Sequence, residues 1–234
     1  ATAEAPPEVL ELLRDEMGLT PDSVIADVGS GTGIFARVFL ENGNIVYGIE
    51  PNEPMRAASE EFLAAYPGFQ PIDGTAENTG LASGSADIVT AAQAFHWFER
   101  GPARREFLRI LKPGGYVALV WNERKLESNA FLIEYEQFLK KFALDYEAVR
   151  HEHIDRGTLK SFFQKDFETR IFSNSQVLDF DGLLGRVLSS SYMPNESSAD
   201  FTKMKNELHL LVAKHSESGK IELLYDTAVH YSQF

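Results

Sequence analysis

Val24-Ile25-Ala26-Asp27-Val28-Gly29-Ser30-Gly31-Thr32-Gly33-Ile34-Phe35 is the stretch whose reading decides the fold. Val24, Ile25, Ala26 and Val28 form a short apolar run, the pattern of a parallel strand covered on both faces. Gly29, Gly31 and Gly33 let the backbone turn sharply and approach a ligand without Cβ interference. The helix that opens at Ile34-Phe35 points free N–H groups and its positive dipole end at that turn. A strand, turn and helix of this kind make a small-molecule cradle at the carboxyl end of a strand, where open α/β sheets bind ligands.

The neighbouring sequence repeats the rhythm. Upstream, Pro6-Pro7 can start a helix carrying Val9, Leu10, Leu12, Leu13 and Met17, with Gly18 as its stop. Downstream, Ile45–Ile49 reads as a second strand ending at Glu50-Pro51, and Asn52 as the N-cap of the next helix. A third strand is expected near Phe69–Ile72, leading into Asp73-Gly74-Thr75-Ala76-Glu77. A fourth, Ala86–Ala92, leads into Gln93-Ala94-Phe95-His96-Trp97-Phe98. A helix over about 102–111 is predicted to stop at Lys112-Pro113-Gly114-Gly115, before a fifth strand at Tyr116–Trp121. Strict β-α alternation predicts a doubly wound, parallel α/β sheet with right-handed crossovers.

After Trp121 the pattern changes. Residues 129–147 form an aromatic amphipathic helix with Phe131, Leu132, Tyr135, Phe138, Leu139 and Phe142 on one side. Further helices are expected at 157–165, 180–190 and 200–216, and strands at 167–178 and 220–231. The segment 122–165 reads as a helical insertion, a lid on a single domain spanning 1–234 whose core covers about 20–121.

Composition excludes several functions. The chain has 234 residues, no cysteine and a formal net charge of −13. Disulfides, thiolate zinc sites and thiol catalysis are out. So strong a negative charge opposes a phosphate backbone, which argues against a nucleic-acid partner. No apolar run approaches the roughly 20 residues of a membrane span, and no signal-peptide pattern opens the chain. A cytoplasmic protein, monomer or homodimer, is the expectation.

Three ligands compete for the glycine turn. A phosphate-binding P-loop needs Lys and Ser/Thr at its end, where Ile34-Phe35 stand. A dinucleotide fingerprint needs a small residue at the position of Ile34. Asp27 would also lie close to a doubly negative pyrophosphate. The same carboxylate suits a cationic ligand such as S-adenosylmethionine, whose ammonium it can hold. Glu50, at the end of the second strand, can accept hydrogen bonds from both hydroxyls of a ribose, a feature shared by NAD and S-adenosylmethionine sites.

Asp27-Val28-Gly29-Ser30-Gly31-Thr32-Gly33, Glu50, Asp73-Gly74-Thr75-Ala76-Glu77, Ala92–Trp97 and Leu111-Lys112-Pro113-Gly114-Gly115 together resemble the class I S-adenosylmethionine-dependent methyltransferases. Within that class the chain is similar to small-molecule enzymes of the type 11 kind, related to those of trans-aconitate and quinone biosynthesis. The resemblance covers 23–121 well and the remainder weakly. It implies a Rossmann-like seven-stranded sheet, mostly parallel, with an antiparallel last strand. It implies that Gly29 and Gly31, with Ser30 and Gly33, line the methionine end of S-adenosylmethionine and that Glu50 holds the ribose. Pro51-Asn52 borders the adenosine, and Thr75 and Ala76 cover the adenine. Many relatives carry Asp where Thr75 stands, so Asp73 is the alternative contact. Gln93 is placed near the methyl-transfer channel.

Methyl transfer is an in-line displacement with an activated leaving group, so the protein chiefly aligns donor and acceptor. A base is needed for a hydroxyl, and none for a carboxylate acceptor. His96 is the base candidate; the alternative is that His96-Trp97-Phe98 packs beneath the cofactor or caps a helix. His151-Glu152-His153 has the wrong spacing for a shared helix face, and no metal site is expected. Glu123, Tyr135 and Tyr192 are candidates for the acceptor pocket, and Arg100, Arg104 and Arg105 form a local positive cluster. The acceptor is expected to be a small molecule attacking through O, N, C or carboxylate. An NAD(P)-dependent oxidoreductase and a non-catalytic ligand-binding protein remain as alternatives, because fold does not fix function.

Overall fold

A computed structural model describes residues 4–143, 155–190 and 193–234. They form a seven-stranded sheet in the order β3-β2-β1-β4-β5-β7-β6. The strands are β1 (Val24–Val28), β2 (Ile45–Ile49), β3 (Phe69–Ile72), β4 (Ala86–Ala92), β5 (Leu111–Arg124), β6 (Glu168–Leu178) and β7 (Ile221–Gln233). The helices are α1 (Pro7–Met17), α2 (Ile34–Glu41), α3 (Glu53–Phe62), α4 (Arg100–Ile110), α5 (Ala130–Phe142), α6 (Arg156–Phe163), α7 (Phe180–Leu188) and α8 (Phe201–His215), with a short 3-10 turn at Phe95–Trp97.

The first five strands are parallel. β7 runs against β5: Lys125 N–H donates to Leu224 O at 2.8 Å, and at the other end Phe234 N–H donates to Gly115 O at 2.8 Å. β6 runs against β7, as the contact between Thr169 Oγ1 and His230 Nδ1 at 2.9 Å and the Ser232 hydroxyl donating to Asp166 O at 3.0 Å require. The doubly wound, mostly parallel sheet with an antiparallel last strand, β7, is thus the architecture that the alternation and the resemblance anticipated.

The chain divides into two compact units. Among the described residues one unit holds 4–122, 155–172 and 227–234, and the other 123–143, 173–190 and 193–226. The first unit has three layers. Ile25, Val46, Ile88 and Ala118 pack against α1 and α2, while Ala26, Val28, Val89 and Leu119 pack against α4 and α6. Alternate residues of one strand serve opposite faces, as the strand period requires. The helix at 156–163 and residues up to 172 belong with this unit, whereas the sequence reading had the insertion running to 165.

In the other unit α5, α7 and α8 bury Leu132, Tyr135, Leu183 and Leu208 against Leu223 and Tyr225 of β7. The aromatic face of 131–142 is therefore core, and Tyr135 is part of it. No helix among the described residues is long and apolar enough to cross a membrane.

One boundary differs from the sequence reading for a physical reason. Lys112-Pro113-Gly114-Gly115 stops α4 but does not delay the strand, because β5 begins at Leu111. Ala86 pairs with Leu111 and Ile88 with Tyr116, so the ladder skips across the Pro-Gly-Gly bend as an irregularity.

Candidate active site

The site is built where β1 and β2 end side by side. Gly29 and Ser30 N–H groups both donate to Ile49 O, at 2.8 and 3.1 Å, so the first turn is clamped to the second strand. Gly29, Gly31 and Gly33 have φ of +69°, +55° and +83°, a region L side chains rarely adopt. Their surroundings differ. A Cβ on Gly29 would lie 2.5 Å from Ala94 Cβ, and one on Gly33 would lie 2.5 Å from Leu63 Cδ1. A Cβ on Gly31 would meet only Met55 Cε, at 3.8 Å. Two of the glycines thus serve close packing within the protein, whereas Gly31 has room for a Cβ against the end of the Met55 side chain.

Glu50 is buried and held at both oxygens. Oε2 accepts from Gly31 N–H at 3.0 Å and Oε1 from Asn52 N–H at 2.9 Å. The carboxylate is fixed in orientation and still has lone pairs to spare, which is what recognition of a vicinal diol needs. Arg56 of α3 braces this corner, donating to Glu50 O at 2.8 Å and reaching Asp73 Oδ1 at 3.4 Å. Asn52 caps α3 by accepting from Met55 N–H at 3.1 Å, as its position after the second strand suggested.

Asp27 is the anomaly. It is 1% exposed, on the central strand. Its Oδ1 accepts from the Thr90 hydroxyl at 2.8 Å, its neighbour in register on β4. Its Oδ2 has no hydrogen-bond partner among the described residues, and neither has the buried Ser30 hydroxyl oxygen. Burial pushes the Asp27 carboxyl up to about 7, against the opposing Thr90 hydrogen bond and with a smaller upward push from the Glu50 charge. A buried carboxylate with one oxygen unsatisfied is a place for a cationic donor. Sequence reasoning missed Thr90, yet the signal was present: it is the one polar residue in the apolar run Ile88–Ala92.

The remaining expected residues lie around this turn with less definition. Pro51 is exposed beside Glu50. Thr75 is exposed, and its Oγ1 accepts from Glu77 and Asn78 N–H at 3.3 and 3.2 Å. Ala76 is buried in one cluster with Val28 and Ile49. Gln93 ends β4 at φ +58°, with its N–H donating to Val120 O at 2.9 Å and its Nε2 to Asn122 O at 3.2 Å. His96 is half-buried with its ring 4.9 Å from that of Trp97, which is 78% exposed and joins no core cluster among the described residues. Phe95 and Phe98 anchor the segment from the other side.

Several other candidates separate. Arg104 stacks over Phe234 at 5.2 Å, whereas Arg100 and Arg105 are exposed, so the three do not converge. Glu123 is exposed. His151-Glu152-His153 and Tyr192 lie outside the described residues. Among the described residues no group of three potential ligands converges on a metal-sized site.

A clamped glycine turn, a buried acid held at both oxygens and a second buried acid with one oxygen unpartnered meet where β1 and β2 end, and comparison with known proteins gives their family. Residues 26–119 match the family model described as a methyltransferase domain. An uncharacterized methyltransferase of Mycobacterium tuberculosis is 30% identical over 225 residues, 95% of this chain and 86% of that protein. A solved structure from Anaeromyxobacter dehalogenans, provisionally named a type II methyltransferase, has a TM-score of 0.72 at 17% identity, covering 100% of this chain and 98% of that one. Geranyl diphosphate methyltransferase in complex with S-adenosylmethionine shares the fold at a TM-score of 0.53 and 14% identity, covering 97% and 85%. The chain belongs to the class I S-adenosylmethionine-dependent methyltransferases. The oxidoreductase alternative finds no support among these relatives.

Proposed function

We propose that the turn after β1 holds S-adenosylmethionine and that the chain transfers its methyl group to a small-molecule acceptor. The observation that carries this is Asp27: a buried carboxylate with Oδ2 unsatisfied among the described residues, on the strand that leads into a glycine turn where a Cβ on Gly31 would touch only the end of the Met55 side chain. The amino-acid end of the donor supplies an ammonium for Oδ2 and a carboxylate for backbone N–H groups of Gly29–Gly31, with Ser30 as a further polar contact. Glu50 takes the ribose hydroxyls, and Pro51 borders the adenosine. Ala76 gives the adenine an apolar floor. Thr75 spends its side-chain oxygen and both its backbone groups on its own turn with Asn78, so the base is read through the Ala76 N–H, with Asp73 near Arg56 at its edge.

The donor supplies a methyl group on a sulfonium, an activated leaving group. What the chain supplies is alignment. Gln93, tethered to β5 at two points, sets the direction in which the chain leaves β4 towards His96. An acceptor that must lose a proton takes His96 as base; a carboxylate acceptor leaves it idle. A cytoplasmic enzyme working as monomer or homodimer on one domain remains the reading of composition and pattern.

Calorimetric titration with S-adenosylhomocysteine tests the donor site. Micromolar binding is expected, and no binding at millimolar ligand would falsify the reading. Glu50→Ala should weaken that binding by about 1–3 kcal/mol, the scale of lost charge-assisted hydrogen bonds; unchanged affinity removes Glu50 from the site.

A further inference from the structure

In the unit formed by 123–143, 173–190 and 193–226, the described residues leave one helical face uncovered. α5 and α8 lie side by side and antiparallel. Lys214 Nζ sits 2.7 Å from Glu134 Oε1, and Lys141 Nζ sits 2.6 Å from Glu207 Oε2. Each helix thus presents an acid and a lysine two turns apart on one face. The four charges frame a groove of about 630 Å³, lined between them by Ile133, Phe138, Leu210 and Leu211. Phe138 and Leu211 belong to the core of the unit. Leu210 is 68% exposed and Ile133 42%. A single apolar side chain in water is ordinary, but these two share a groove framed by charges of ordered sign.

The signs decide what can cover this groove. Read round its corners, Glu134, Lys214, Glu207 and Lys141 alternate negative, positive, negative, positive. They sum to zero. An acidic peptide, a nucleic acid or an anionic lipid surface would meet as many repelling charges as attracting ones. A checkerboard of this kind is instead complementary to its own copy. A two-fold axis lying in the face and running across the helices sets Glu134 against Lys141 of a second copy, and Glu207 against Lys214. An axis along the groove sets Glu134 against Lys214 of the second copy, and Lys141 against Glu207. Under either axis no like charges face each other. We infer that the chain self-associates as a two-fold dimer through α5 and α8, which covers the exposed Leu210 and Ile133. The contact is isologous, each groove receiving the apolar side chains of the other. Lys141 and Lys214 keep their own-chain carboxylates. Their side chains are 52% and 61% exposed, so each ammonium has room to approach a second carboxylate. None of this depends on the methyl donor.

Sedimentation velocity on the full chain, over a concentration series, tests the contact. The parent should dimerise with a dissociation constant of roughly micromolar or tighter. Leu210→Glu sets a charge at the middle of the contact and should weaken the dimer about tenfold or more. Its circular dichroism should match the parent's, because residue 210 is mostly in water in the single chain. A second variant reverses all four corners at once: Glu134→Lys, Lys141→Glu, Glu207→Lys and Lys214→Glu. Both lysine pairs within the chain survive with their signs exchanged, and so does the variant's complementarity to itself. Against the parent, every facing pair becomes like-charged. The variant should dimerise alone, and energy transfer between labelled chains should show mixed dimers with the parent about tenfold rarer than random pairing gives. A parent that stays monomeric overturns the inference, even if an unrelated protein binds this face. So does a dimer that Leu210→Glu leaves equally tight, or one in which parent and reversed chains mix freely, because the contact then lies elsewhere.

Discussion

Asp27 and Glu106 are both buried acids of the same unit, and they are completed in opposite ways. Glu106, on α4, receives Thr79 N–H at 2.9 Å, the Thr79 hydroxyl at 2.6 Å, and Arg109 through Nε and Nη2, both at 2.7 Å. Arg109 also donates to Leu81 O at 2.7 Å, so the pair latches α4 to the segment before β4. Arg109, with help from Thr79, holds the Glu106 carboxyl down at about 2. Asp27 has a single hydroxyl for two oxygens and sits at about 7. A buried charge used for structure is saturated by the fold itself. The open Oδ2 of Asp27 is the one that the proposed donor's ammonium would fill.

Removing the finished acid should have the larger effect. Glu106→Ala leaves Arg109 and Thr79 without their partner and is expected to cost about 3–5 kcal/mol. The pH dependence gives a sharper reading, because the folded value lies below the ordinary one. The stabilisation is present above pH 4.5, and it fades as pH falls towards 2. Denaturant melts of parent and variant should converge in acid; a constant gap would assign the loss to packing alone.

Asp27→Asn should act in the other direction. The Asp27 value is raised, so the folded state binds its proton more tightly than the unfolded state does. Stability of the ligand-free protein therefore falls as pH rises from about 4 to about 7. The amide removes that decline and should stabilise the ligand-free protein by about 2 kcal/mol at pH 8, allowing for the polar group that stays buried. The same variant should bind S-adenosylhomocysteine about 10- to 100-fold more weakly. In the parent, affinity should climb with pH up to about 7 and then level off, because the cation must displace the Asp27 proton. A pH-independent affinity would break the contrast between the two acids.

The glycines give the smallest effect and a finer comparison. Gly29→Ala sets a Cβ 2.5 Å from Ala94 and should destabilise by about 1–3 kcal/mol. Gly31→Ala meets only Met55 Cε, at van der Waals distance, and should cost about 1 kcal/mol of backbone strain while weakening donor binding. Equal losses of stability at the two positions would remove the distinction between packing and ligand.

The strand, turn and helix at 24–41 were legible because each local preference agreed with the fold. The placement of Asp27 near the end of β1 and of Glu50 just after β2 was legible from the apolar runs around them. The Glu106–Arg109–Thr79 latch was not, since Thr79 lies 27 residues from its acid and looks like any loop threonine. The length of β5 was hidden by Pro113-Gly114-Gly115, which a ladder irregularity absorbs. The pairing of β5 with β7 depends on a register between strands a hundred residues apart, and no local pattern announces it.

Gln93 governs the path of the chain beyond β4. It is a non-glycine residue twisted into the left-handed region and pinned to Val120 O and Asn122 O. Such torsion stores about 1 kcal/mol that the tethers must hold. The loop bearing His96 and Trp97 thus leaves the sheet under tension, like a spring with its anchor at residue 93. A substitution beyond that anchor keeps the angle at which the chain leaves β4, whereas one at residue 93 redirects every residue up to α4 at once.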